Sequence, residues 1–292
     1  MGEPMTRADD RELLKTAYAA WEAKNWVVAG ESLERLVRRR PDHRRSGVWW
    51  YDAALAYKFL RNWAKAYELG REAAGRAKRG KQDPAFWNLG IAATIVEDWA
   101  TARDAWRGYG LTVPDGDGEI MADFGVTPVR LSPDGGGEVV WARRLCPARA
   151  RVLNVPTPES GRRFGEIVVH DGAPNGERTV DDRTYSVFDE LLLFRASELP
   201  TTTVEVTAGT SEDVRALAAL FDEHGYAAEP ASGVRMICSC CSEGSVAQDA
   251  HHQVPGGQRV HLAAPVDEIP GLMGRWHADA PGRRSWTEPA RG

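Results

Sequence analysis

Lysine disappears from this 292-residue sequence after Lys81, cysteine occurs only four times, and no apolar run approaches the roughly 18 residues that a membrane-crossing helix requires. Each shortage excludes something. Cys146, Cys238, Cys240 and Cys241 are too few and too bunched for a disulfide framework. The opening MGEPMTRADDRELL puts acidic residues where a signal peptide needs a basic stretch followed by an apolar one, which predicts a cytoplasmic protein. A Walker loop, a dinucleotide-binding fingerprint and a nucleophile elbow are all missing, so no motif nominates an enzyme. What is present, 42% hydrophobic and 27% charged residues, fits a globular chain with a buried core, and the length suggests more than one domain.

Charge and tryptophan divide the chain into two regimes. Residues 1–111 hold 20 Lys and Arg against 15 Asp and Glu, a net +5, which leaves −10 for the remainder; eight of the eleven tryptophans also lie in this first part. The overall −5 gives no global drive toward nucleic acid, and none is expected as a partner. Domain boundaries are predicted at 9–111, 120–200 and 201–292.

The first regime is an internal repeat. ELLKTAYAAWEAKNWVVAGESLERLVRRRP, VWWYDAALAYKFLRNWAKAYELGREAAGRAK and AFWNLGIAATIVEDWATARDAWRGYG align on Asn25-Trp26, Asn62-Trp63 and Asp98-Trp99, with tryptophan spacings of 37 and 36 and with Ala29, Ala66 and Ala102 three positions later. Paired antiparallel helices explain the pattern, because close approach admits only a small side chain and the indole fills the space beside it. Trp26, Ala29, Trp63, Ala66, Trp99 and Ala102 are therefore the predicted repeat core. The period, the aromatic at the turn, the Leu89-Gly90 pair, Tyr57 and the repeat-ending Pro41 resemble the tetratricopeptide repeat, over about residues 10–110. The resemblance implies an all-α helical solenoid whose first helices line a groove for an extended peptide or a partner helix. Leu14, Tyr18, Trp21, Tyr51, Leu55, Phe59, Trp87 and Ile91, with Val48 and Ile95, take the groove positions, and they call for an apolar guest or for packing from the C-terminal part of the chain. The Lys/Asn clamp of chaperone-binding members is not reproduced, although Lys15, Lys58 and Asn88 lie nearby. No capping helix follows Trp106, which leaves the second domain as the expected cover.

Two basic clusters end the second helices, Arg35, Arg38, Arg39, Arg40, Arg44 and Arg45, then Arg76, Lys78, Arg79 and Lys81. Cations there suit the helix dipole and water, and a solvated edge is the simpler reading beside a phosphate or acidic-peptide contact.

Beyond residue 120 the pattern predicts an α+β domain, a small antiparallel sheet or barrel plus a βαβ unit. Strands are expected at 127–131, 138–145, 149–155, 165–170 and 185–194, the last alternatively a short helix over 187–194, with SPDGGG, PTPESG and DGAPNGER as turns. Ser211 is placed to cap a helix carrying Val214, Leu217, Leu220 and Phe221, flanked by strands at 203–206 and 234–238. DGDGE, with Asp115, Asp117 and Glu119, is a polar turn rather than a calcium loop, and Glu166, His170 and Asp171 are too ordinary a set to count.

ICSCCSEGSVAQDAHH is the one chemical lead. Cys238 and Cys241 are spaced to chelate zinc, and His251 and His252 lie within reach of a returning loop. Small buried cysteines and a redox dithiol are the competing readings. Two functions follow, an adaptor or inhibitory protein of a bacterial complex that binds its partner through the groove, and a zinc sensor or enzyme with its chemistry in the C-terminal domain. Metal analysis of purified protein and of Cys238→Ser separates the readings: bound zinc lost in the variant supports the site, and a zinc-free wild type with an unmoved melting temperature removes it.

Overall fold

The computed structural model describes residues 7–135, 137–180, 182–231 and 258–287. The chain divides into two compact units, Met1–Ala122 with Cys146–Ala148, and Asp123–Leu145 with Arg149–Gly292. No helix of the described residues is long and apolar enough to cross a membrane.

The first unit carries six helices in a row, α1 (Arg7–Glu22), α2 (Trp26–Arg39), α3 (Ser46–Phe59), α4 (Trp63–Ala74), α5 (Pro84–Ile95) and α6 (Trp99–Tyr109), each packed on the next. One turn joins the members of every pair. Lys24, Arg61 and Glu97 adopt left-handed backbones with φ of 54°, 55° and 59°. The residue that follows caps the second helix: the side-chain oxygens of Asn25, Asn62 and Asp98 accept from the N–H groups of Val28, Lys65 and Thr101 at 3.3, 3.2 and 3.0 Å. Trp26, Trp63 and Trp99 then open α2, α4 and α6, and all three are half-buried, while Ala29, Ala66 and Ala102 are buried.

Small residues set how closely the helices approach. Ala29 packs with Ala20 of α1 and Ala56 of α3. A Cβ on Gly90 would lie 2.6 Å from the Trp106 ring, and one on Gly108 would lie 2.4 Å from Phe86, so α5 and α6 interlock through two glycine–aromatic contacts. Part of α6 is covered by an extended segment of the same unit: Arg103 donates to the Pro114 carbonyl at 3.1 Å and Arg107 to that of Val113 at 3.3 Å. Arg107 also pairs with Asp115 at 2.7 Å, which keeps that acidic turn in the helical unit's own bonding.

The second unit is mostly antiparallel sheet. Five strands, β1 (Val126–Leu131), β2 (Glu138–Cys146), β3 (Arg149–Val152), β4 (Ile167–Val180) and β5 (Arg183–Arg195), form a closed barrel in sequence order. With an odd number of up-and-down strands the first and last must run parallel, and β1 and β5 do. The Arg130–Asp189 ion pair, 2.6 Å long and nearly buried, fastens that seam. Alternate residues fill the barrel, among them Val129, Leu131, Val140, Ala142, Ala150, Val152 and Val168. Residues 187–194 lie in β5 and are strand, not helix. DGAPNGER is not a turn; it runs within β4, where register shifts after His170 and after Pro174 absorb its glycines and proline.

A second sheet follows from β6 (Thr201–Ala208), α7 (Ser211–Asp222), β7 (Ala227–Pro230), β8 (Gln258–Ala263), α8 (Ile269–Ala278) and β9 (Arg284–Thr287). Its order, β7-β8-β6-β9 with every pair antiparallel, is the split βαβ arrangement of ferredoxin-like sheets. The expected βαβ unit is thus opened by β8, which lies between its two strands, and its second strand is β7; residues 234–238 lie outside the described residues. The cap of α7 is Thr210 rather than Ser211, because Thr210 and Asp213 exchange side-chain and backbone bonds in a capping box.

Overpacking and uncapping should both register in chemical denaturation of the helical unit. Ala29→Leu and Gly90→Ala are each expected to cost about 1 to 3 kcal/mol, and Asn62→Ala about 1 kcal/mol.

Candidate functional site

The outward row of α3 is exposed at its two ends and half-buried between them. Val48 is 51% exposed and Phe59 45%, with Tyr51 and Leu55 half-buried between them. These positions recur three, four and four residues apart and share one face of the helix. On α1, Leu14, Tyr18 and Trp21 are also half-buried. The Trp21 ring lies edge-on to Trp26 at 5.2 Å and 6.3 Å from Phe59, and Phe59 lies 4.5 Å from Trp26, which joins the two helices in one aromatic cluster.

The face does not continue onto α5. Ile91 has no exposed surface, and the half-buried Trp87 turns edge-on toward Trp106 at 5.2 Å and Tyr109 at 4.9 Å of α6. Ile95 is half-buried.

A polar seam accompanies the apolar row. The Tyr18 hydroxyl donates to Asp52 Oδ2 at 2.7 Å. Burial pushes the Asp52 carboxyl above its ordinary value despite that bond, and burial followed by the Asp52 bond holds the Tyr18 phenol above its own. Lys58 Nζ donates to Asn88 Oδ1 at 3.0 Å, and Asn88 Nδ2 to the Tyr51 hydroxyl at 3.4 Å. Lys58 and Asn88 therefore meet across α3 and α5, while Lys15 is exposed. Sequence reasoning missed Asp52; its spacing of four from Val48, on the same face, was the available signal.

Part of each basic cluster is matched by acids of the helical unit itself. Arg38 pairs with Glu34 at 2.7 Å and Glu68 at 2.6 Å, Arg39 and Arg40 with Asp10 at 3.0 and 2.7 Å, Arg76 with Glu72 at 2.6 Å, and Arg79 with Asp104 at 2.8 Å. Partial burial of Glu34 opposes ionisation, but hydrogen bonds from Lys65, Arg38 and Tyr57 outweigh it and draw the carboxyl down to about 2. Such pairing suits a solvated edge better than a phosphate site.

In the second unit Glu166, His170 and Asp171 turn to separate tasks. Glu166 accepts from the Arg163 N–H at 3.0 Å, and Asp171 accepts from the Gly172 N–H at 2.6 Å. His170 is buried, with Nδ1 on the Asp171 carbonyl at 2.8 Å and no hydrogen-bond partner at Nε2 among the described residues. Burial, helped by the nearby Arg144, pushes its imidazole down to about 4. Among the described residues no three His, Cys, Asp or Glu side chains converge as a metal site. The zinc candidates Cys238, Cys241, His251 and His252 lie outside the described residues. In comparisons with known proteins, no family model, curated protein or solved structure matches the chain.

His170 makes stability pH-dependent with a definite sign. The unfolded imidazole takes a proton near pH 6.5 and the buried one only near pH 4, so its contribution is complete above 6.5 and is lost as the pH falls toward 4. Denaturant unfolding of the β-rich unit should show about 2 to 3 kcal/mol less stability at pH 4.5 than at pH 7 from this group. In His170→Phe that part of the slope should vanish.

Proposed function

We propose that the helical unit is a tetratricopeptide-like solenoid serving as a non-catalytic protein-binding adaptor, and that its partner docks on the face of α1 and α3. The observation that carries this reading is the row Val48, Tyr51, Leu55 and Phe59, apolar side chains left exposed or half-buried at helical spacing beside Leu14, Tyr18 and Trp21. Contiguous apolar surface of this kind marks an interaction site more often than scattered single residues do. Its shape and polarity suit an amphipathic helix or an extended segment with apolar anchors, with the Tyr18–Asp52 pair supplying a polar register mark. The recurring turns support the solenoid part of the proposal, since equal turns give each pair the same exit geometry for stacking on the next. The partner's identity belongs to experiment.

A photo-crosslinking residue at Val48 or Leu55 should label one discrete protein in the native host, whereas the same residue at Arg35 should not. Leu55→Asp combined with Phe59→Ala should cut the yield of that adduct at least tenfold while the thermal melt is retained. Equal labelling from Arg35, or an adduct indifferent to the double substitution, would defeat the proposal.

A further inference from the structure

Five asparagines occur in the chain, and Asn25, Asn62, Asn88 and Asn154 precede Trp, Trp, Leu and Val; Asn175 alone precedes a glycine. That neighbour matters chemically. The side-chain amide carbon of an asparagine lies within reach of the next residue's backbone nitrogen, and a Cβ on that residue hinders the approach, which glycine leaves open. Asn175 and Gly176 also sit where the β4 ladder breaks. Pro174 faces Phe188 and Glu177 faces Ser186, so the two residues together oppose Val187 and neither has a partner in the register. Gly176 holds φ at 102°, a backbone that glycine adopts freely, and Asn175 is exposed to water.

The same residue belongs to the seam that closes the barrel. Asn175 Nδ2 donates to Asp189 Oδ2 at 2.6 Å, and its backbone carbonyl accepts from Arg130 Nη2 at 2.9 Å. Arg130 Nη1 holds the other carboxylate oxygen of Asp189 at 2.6 Å. Asp189 in turn faces Arg130 in the parallel pairing of β5 with β1. Amide, carboxylate and guanidinium thus form a triangle over the point of closure, and the amide supplies the donor for the oxygen that Nη1 leaves.

We propose that Asn175-Gly176 is a site of spontaneous deamidation and that it sets a chemical lifetime on the closed barrel. The Gly176 nitrogen gives up its proton and bonds to Asn175 Cγ; the Cγ–Nδ2 bond breaks, and that nitrogen leaves as ammonia from a five-membered imide. Water then opens the ring. Cleavage between Cγ and the Gly176 nitrogen leaves aspartate at 175, whereas cleavage between the backbone carbonyl carbon of residue 175 and that nitrogen leaves isoaspartate, whose main chain runs through Cβ and Cγ. By either route one water enters and one ammonia departs. The donor to Asp189 Oδ2 is replaced by a second carboxylate, so two like charges meet beside the Arg130 guanidinium. Isoaspartate also lengthens the main chain inside the bulge and displaces the ladder that resumes at Glu177 and Ser186. The site lies in the second unit and is independent of the docking face on α1 and α3.

Incubation of the full-length chain at 37 °C, read by peptide mass spectrometry and by an isoaspartate-specific methyltransferase, tests the site. The peptide containing Asn175 should exchange its amide for an acid and carry isoaspartate, at least fivefold faster at pH 8.5 than at pH 6 because the attacking nitrogen must lose its proton. Peptides with Asn25, Asn62, Asn88 and Asn154 should stay intact over the same interval. Asn175→Gln, whose longer side chain must close a larger ring, should stay unmodified at 175. Asn175→Asp installs the product charge directly: hydrogen exchange at the paired residues Val129, Arg130, Phe188 and Asp189 should run at least tenfold faster than in the wild type, while Asn175→Gln keeps wild-type protection. An Asn175 peptide that converts no faster than the other four, conversion without isoaspartate, or a rate indifferent to pH would overturn the site. A seam as protected in Asn175→Asp as in the wild type would overturn the lifetime assigned to the barrel.

Discussion

At each of the three turns inside a helix pair, a residue other than glycine is held in the left-handed region so that the next residue can cap the second helix, and the helical architecture depends on that turn. The left-handed backbone costs Lys24, Arg61 and Glu97 about 1 kcal/mol each. The caps of Asn25, Asn62 and Asp98 offset a similar amount and satisfy N–H groups that would otherwise lack partners. Because the turn sets the angle at which the chain re-enters, it delivers Ala29, Ala66 and Ala102 to the buried side with the indoles beside them.

The second unit relies on buried charge to a degree its strand pattern does not suggest. Glu138 of the barrel accepts from the Thr157 N–H and hydroxyl, both at 3.0 Å, while Glu229 of the second sheet accepts from Asn154 Nδ2 at 2.9 Å and the Val155 N–H at 2.8 Å. The loop after β3 is thereby gripped from both sheets. Burial raises both carboxyls above their ordinary values. Hydrogen bonds from the loop are what make ionised groups tolerable there, and removing them would leave two acids without compensation. Arg284 does comparable service for Asp213, tying β9 to the start of α7 at 2.9 Å.

Two kinds of apolar surface meet in the helical unit, and their fates differ for a reason internal to the repeat. On α3 the outward row is not fully covered by the described residues of its own unit. On α5 the corresponding side chains are drawn inward, because the bare Cα atoms of Gly90 and Gly108 let Trp106 and Phe86 cross between α5 and α6. Trp87 joins that aromatic packing. Small residues thus decide which large ones remain available to another molecule.

What the amino-acid sequence determined by itself was whatever depends on near neighbours along the chain: the spacing of Asn-Trp and Asp-Trp, the alanines three residues on, the helical periodicity, and the alternation that places Val129, Leu131, Val140 and Ala142 inside a sheet. Those signals act within a turn of helix or a few residues of strand. Tertiary structure alone decided the rest: the parallel seam between β1 and β5, the insertion of β8 between β6 and β7, the bulges that carry DGAPNGER through β4, the meeting of Lys58 with Asn88, and the burial of Ile91. Each joins residues tens of positions apart, where the free energy comes from excluding water and pairing charge across the fold, and no local pattern encodes which of many compatible partners a residue will meet.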